Sequence, residues 1–208
     1  GAEGTLGVIT AAVMKLVPRP RAYATATLAL RSLPDALDLL NRLQEASGGA
    51  VEAFEYMPDS YMRRLAEARP DIRQPFAPVQ AVNILVELGA TAPRDATTDA
   101  DGNTPILGLL ETVLAQMMAT GMILDGEIAQ TEAQRRTMWE RRELAAEITF
   151  ARSPAIDTDV ALPLDKVADF LNKIHARLPA LDAGAETLSV AHLGDGNVHF
   201  TVFPSQNS

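Results

Sequence analysis

The segment that most constrains the fold is Val82–Leu88, where Val82, Ile84, Val86 and Leu88 alternate with Asn83 and Glu87. Successive strand residues point to opposite faces, so this pattern predicts a strand with one apolar and one polar side. One-faced strands belong to antiparallel or mixed sheets, since parallel sheets are buried on both faces and read as continuous apolar runs. The neighbouring segments repeat the theme with helices between them. Ala22–Leu30 reads as a strand, and Ser32 as the N-cap of a helix with Pro34 in its first turn. Ala36, Leu37, Leu40, Leu43 and Ala46 carry that helix to Gly48-Gly49. Strand is expected at Val51–Tyr56, Asp157–Leu162, Thr187–Leu193 and Val198–Phe203, and extended chain at Met122–Gln130. Helix is expected at Asp59–Ala68, from Thr104-Pro105 to Gly121, at Thr131–Ile148 and at Pro163–Leu178. This order predicts an α+β fold, a ferredoxin-like α/β plait whose sheet is largely antiparallel with helices packed on one face. The apolar stretch Leu107–Met118 suits a homodimer contact or the core equally well.

A chain of 208 residues suffices for one sizeable α+β domain. Eighteen basic against 27 acidic residues leave a charge of −9, which argues against nucleic acid as a partner. Arg135, Arg136, Arg141 and Arg142 are interleaved with Glu132, Glu140 and Glu143, the pattern of a solvated helix face with i,i+4 pairs. The absence of cysteine excludes disulfides, thiolate metal sites and a cysteine nucleophile. It fits a reducing compartment, and a cytoplasmic location is the expectation. No apolar run reaches the roughly 18 residues of a transmembrane helix.

The densest chemistry lies in His192-Leu193-Gly194-Asp195-Gly196-Asn197-Val198-His199. Gly-Asp-Gly-Asn tolerates positive φ and turns the chain tightly. With those four residues as the loop, His192 faces His199 across a hairpin, on the face opposite Leu193, Val198, Phe200 and Val202. Two imidazoles so placed are candidate ligands for one divalent metal, with zinc the expectation and a third, carboxylate ligand still required. Asp195 is expected to spend its side chain on backbone amides of the turn. His175, between Lys173 and Arg177, reads as a surface residue. The glycines of Gly1–Gly7 permit close approach of backbone N–H groups to a phosphate, although a plain turn explains them as well.

Four segments, in order, resemble one family. Gly1–Thr10 resembles the last characteristic segment of the FAD domain in the vanillyl-alcohol-oxidase-like flavoproteins. Trp139-Glu140-Arg141-Arg142-Glu143, Asp159-Val160-Ala161-Leu162-Pro163 and Ala191–His199 resemble motifs of the glycolate oxidase/D-lactate dehydrogenase/D-2-hydroxyglutarate dehydrogenase branch. The resemblance implies a piece of an FAD-dependent oxidoreductase that converts a 2-hydroxy acid into a 2-oxo acid with metal-assisted substrate binding. Residues 1–20 would be the tail of the FAD domain and a linker, and residues 21–208 the substrate-binding domain, cut short at its C-terminus. Glu3, Gly4, Thr5, Gly7, Val8 and Ile9 would line the FAD, which this chain alone is not expected to bind. His192 and His199 would be metal ligands and catalytic residues. Arg142 would grip the substrate carboxylate, and Thr201 would also touch substrate. Asp157, Ala146 and Thr201 stand where D-2-hydroxyglutarate-type members carry Lys, Thr and Asn, which implies a different or less acidic substrate. The branch's Glu-His-Gly segment, source of a third metal ligand, would follow Ser208. The alternative reading is a non-catalytic plait module that binds a small acid or a partner.

Overall fold

A computed structural model describes residues 5–205. Its centre is one seven-stranded sheet in the order β4-β1-β3-β2-β6-β7-β5. The strands are β1 (Ala22–Leu30), β2 (Val51–Pro58), β3 (Val82–Ala90), β4 (Ile123–Ile128), β5 (Ile156–Ala161), β6 (Glu186–His192) and β7 (Asn197–Phe203). Every neighbouring pair is antiparallel. The helices are α1 (Leu33–Ser47), α2 (Asp59–Ala68), α3 (Pro93–Ala96), α4 (Pro105–Ala119), α5 (Glu132–Glu143), α6 (Ala145–Phe150) and α7 (Leu164–Leu181). The expected α+β plait and antiparallel sheet are both present.

The helix boundaries follow local chemistry. The Ser32 hydroxyl accepts the Asp35 amide at 3.2 Å to start α1, and Gly48, at φ 64°, ends it in the left-handed conformation. Thr131 and Gln134 close a reciprocal capping box at the start of α5. The single helix expected over Thr131–Ile148 is two, divided at Leu144.

Strand parity sorts the core into two layers. Ala24, Ala26, Leu28, Ile84, Val86 and Leu88 face α1, α4 and α7. Leu85, Met57, Leu188 and Val190 face the other way, toward α2, α5 and α6. Helices therefore cover both faces of the sheet, and the expectation of a single helical layer is corrected. The physical reason lies in the polar side chains of the second face. Thr25, Thr27, Asn83 and Glu87 are all buried there. The Glu87 carboxylate accepts from Thr25 Oγ1 (2.7 Å), from Arg135 Nε and Nη2 (2.6 and 2.7 Å) and from Trp139 Nε1 (2.9 Å). A polar strand face thus docks an arginine-bearing helix instead of facing water.

The arginine cluster is corrected in the same way. Arg136 is exposed and pairs with Glu132 as expected, whereas Arg141 and Arg142 are buried. The stretch Leu107–Met118 contributes Leu110, Val113, Leu114 and Met117 to the core, and leaves Met118 exposed. No helix among the described residues is long and apolar enough to cross a membrane.

Candidate active site

The β6–β7 hairpin brings the two histidines together, by a pairing register two residues away from the expected one. The turn occupies Leu193–Gly196, so His192 pairs with Asn197 and His199 with Val190. The histidines are diagonal neighbours on one face, and their ring centroids lie 5.3 Å apart at an interplanar angle of 79°. Gly196, at φ 78°, makes the slipped turn possible. The Asp195 carboxylate accepts the Asn197 amide at 3.1 Å, as a tight turn requires. Leu193, Val198 and Phe200 line the opposite, core face.

Glu55, on the neighbouring strand β2, organises this face. Its Oε2 lies 2.8 Å from His192 Nδ1 and accepts from Arg142 Nε at 2.8 Å. Glu55 and Arg142 are both buried. One carboxylate therefore holds both the imidazole and the guanidinium. His199 Nδ1 stands 3.8 Å from Asp159 Oδ2, its cross-strand neighbour on β5. Asp159 also accepts from Asn197 Nδ2 at 2.6 Å. Arg142 is placed by the end of α5, where the Tyr61 hydroxyl donates to the Arg141 carbonyl. Burial pushes the Tyr61 phenol well above its ordinary range, against the opposing pull of the Arg142 charge, so the phenol stays a neutral donor.

Arg142 Nη2 is buried and has no acceptor among the described residues. Leaving such a donor unsatisfied costs about 1–3 kcal/mol, or more for a charged group. Arg142 also lines a cavity of about 230 Å³ between α5–α6 and the sheet. Ala145, Ala146, Leu188 and Val190 form its apolar walls, and His199, Thr201 and Asp157 its polar floor. Thr201 Oγ1 donates to Asp157 Oδ1 across β7 and β5.

His192, His199, Arg142 and Thr201 are thus brought to one face of the sheet. The glycine-rich segment is not part of this constellation. Glu3 and Gly4 lie outside the described residues, while Thr5, Gly7, Val8 and Ile9 sit on exposed chain preceding β1. Those four residues do not line the cavity. His175, on α7, packs against Phe200 on the far side of the sheet, where burial lowers its pKa. The residue as a whole is exposed, as expected, with only the ring partly desolvated against Phe200, and it stands outside the site.

The donor set fits part of a metal site. Two imidazoles bound to one tetrahedral ion at roughly 2.0–2.1 Å hold their centroids about 5 Å apart. The observed 5.3 Å matches that spacing. With the His192 Nδ1 face turned to Glu55 and that of His199 toward Asp159, the Nε2 atoms remain for coordination. Among the described residues no group of three or more His, Asp or Glu side chains is arranged to share an ion.

Glu55 and Asp159 had no assigned role in the sequence. The signal for Glu55 was a lone carboxylate inside the apolar run Ala53-Phe54-Glu55-Tyr56-Met57. A charge in such a run implies a buried partner, which only strand pairing identifies.

Fold and constellation define an antiparallel plait domain with an ionic pocket built on its sheet. The chain belongs to the FAD linked oxidases, C-terminal domain family, whose model matches residues 19–208. It is 28% identical over 207 residues to a mitochondrial D-2-hydroxyglutarate dehydrogenase of Rattus norvegicus, covering 97% of this chain and 35% of that protein. A D-2-hydroxyglutarate dehydrogenase of Stutzerimonas stutzeri is 28% identical, with 97% and 40% covered. A putative mitochondrial D-lactate dehydrogenase of Schizosaccharomyces pombe is 29% identical, with 97% and 38% covered. The chain thus spans between a third and two-fifths of the length of these relatives. Among solved structures, an alkyldihydroxyacetonephosphate synthase shares the fold, with a TM-score of 0.52 at 14% identity, covering 99% of this chain and 40% of that one. The expectation of a cytoplasmic protein is overturned, since relatives from rat, Arabidopsis thaliana, cattle and fission yeast are named as mitochondrial. Cysteine content was a poor guide to location because reducing conditions are not confined to the cytosol.

Proposed function

We propose that this chain is the substrate-binding part of an FAD-dependent dehydrogenase that oxidises a small 2-hydroxy acid to the 2-oxo acid. On this reading residues 21–208 form the substrate domain, and residues 1–20 the end of a flavin domain and a linker. The single observation that carries it is the buried Nη2 of Arg142, without an acceptor among the described residues, at the wall of a small cavity that His199 also lines, with the His192 ring 5.3 Å from that of His199. A carboxylate is the natural partner for that donor, because a charge-assisted hydrogen bond would satisfy it. The names of the relatives supply the substrate class.

With the carboxylate on Arg142, the 2-hydroxyl points toward His199 and His192. Glu55 fixes the orientation of the guanidinium and of the His192 ring together, so that acid and hydroxyl are bound in one geometry. The hydroxyl proton passes to solvent as C2 gives up its hydride to the two-electron acceptor, for which the family description names FAD. His192 and His199 would hold a divalent metal, which would polarise the hydroxyl oxygen and lower its pKa. A flavin role for Glu3–Ile9 requires protein surface beyond the described residues.

The test is dye reduction by the flavin-loaded full-length protein with a panel of 2-hydroxy acids. Arg142→Lys, which retains the charge but loses the planar fork, is expected to lower kcat/KM at least tenfold. Mutation of both histidines to Ala is expected to abolish turnover and zinc binding together. Absence of turnover with every acid, while the acid still binds, would replace the enzyme reading with that of a binding module.

A further inference from the structure

The cavity has two ends of opposite charge. Arg142 is the one cation among its lining residues, and Asp157 the one carboxylate. Their placement follows from the register. On the site face, Asp159, His199 and Val190 form one row across β5, β7 and β6, and Asp157, Thr201 and Leu188 form the next. Rows two residues apart along a strand are separated by about 7 Å. A ligand with its C2 oxygen at the histidine row therefore extends its remaining carbons toward Asp157 and Thr201, between apolar walls from α6 and β6. Thr201 Oγ1 donates to Asp157 Oδ1, so the hydroxyl already has an acceptor and the acidic end offers a second carboxylate oxygen to whatever arrives.

We infer that Asp157, braced by Thr201, is a specificity-determining residue that makes the pocket select 2-hydroxy monocarboxylates with an uncharged apolar or hydroxylated tail and reject dicarboxylates. The inference rests on the reading of Arg142 as the anchor for the substrate's carboxylate. A second carboxylate at the far end meets a like charge, and Arg142, the one lysine or arginine in the lining, is already taken by the first. An apolar tail instead covers Ala146 and Leu188, and a hydroxyl tail donates to the open oxygen of Asp157. The volume of about 230 Å³ restricts the tail to a few carbons.

The experiment compares kcat/KM for 2-hydroxybutyrate, 2-hydroxyisocaproate and 2-hydroxyglutarate in the flavin-loaded full-length protein, with the Asp157→Asn and Asp157→Lys variants. Wild type is expected to favour the monocarboxylates at least tenfold. Asp157→Asn should narrow that ratio about tenfold, and Asp157→Lys should narrow it further or invert it. Asp157→Asn is nearly isosteric at an exposed position, so its circular dichroism should match wild type and the comparison does not depend on the lysine variant folding. Equal turnover of both acid classes by wild type, or an unchanged ratio in Asp157→Asn, would overturn the specificity role while leaving the dehydrogenase reading intact. Failure to oxidise any of the three acids would overturn both.

Discussion

Glu55 lies in a strand that is otherwise apolar, and its carboxylate is the point through which Arg142 and His192 are coupled. Burying a carboxylate and a guanidinium together requires each to satisfy the other, since an unpaired charge in the interior is far more costly than the pair. Glu55→Ala leaves Arg142 buried without its counter-ion and is expected to cost about 3–5 kcal/mol of stability. Urea unfolding of the variant measures this directly, and a loss under about 1 kcal/mol would show that water reaches the guanidinium freely. At this scale the sequence identified the histidines, Arg142 and Thr201 as residues of interest. It could not identify Glu55 or Asp159 as their partners, because those pairs are separated by far more sequence than any periodicity spans.

At the scale of elements, the β6–β7 hairpin controls the site. Gly196 adopts φ 78°, and a Cβ placed there would lie 2.0 Å from the Leu162 carbonyl oxygen. The same carbonyl region is tied to the turn, with the Leu162 amide donating to Gly196 O at 2.9 Å. Gly196→Ala therefore meets both a left-handed backbone and a backbone clash, and is expected to destabilise the protein by about 2 kcal/mol or more. The turn would be pushed away from the start of α7, so the melting temperature should fall, and with it the zinc binding proposed for His192 and His199. Retention of both would mean that the turn has another conformation available. Turn composition predicted a tight hairpin here, and the hairpin is present. The four loop residues were nevertheless misplaced by one, because Leu193 enters the turn while its side chain stays in the core. Moving the loop by one residue shifts the pairing by two, leaving Asn197 rather than His199 opposite His192, and an even shift keeps both histidines on one face.

Across the whole molecule, the second helical layer depends on polar docking. Glu87 receives Thr25, Arg135 and Trp139, and so fastens α5 to β1 and β3. Trp139 is the single tryptophan of the chain, which makes its fluorescence a direct reporter of that contact. Glu87→Ala is expected to shift its emission to the red and to cost about 2–4 kcal/mol by removing the acceptor of four donor groups on three side chains. An unchanged spectrum would show that apolar contacts of α5 suffice. Because Arg142 sits at the end of the same helix, the variant should also weaken acid binding. Local chemistry by itself determined most of the elements, since caps, glycine stops and apolar periodicity act within a few residues of one another. Antiparallel pairing followed as well, from strands with one apolar side. What only the tertiary structure decided was the fate of the polar side. Asn83, Glu87 and Arg142 carry the pattern of solvated residues, and they are buried because distant partners satisfy them there. Burial of a charge depends on the geometry of its partner rather than on its own neighbours in the chain, and that geometry exists only once the sheet has closed against α5 and α6.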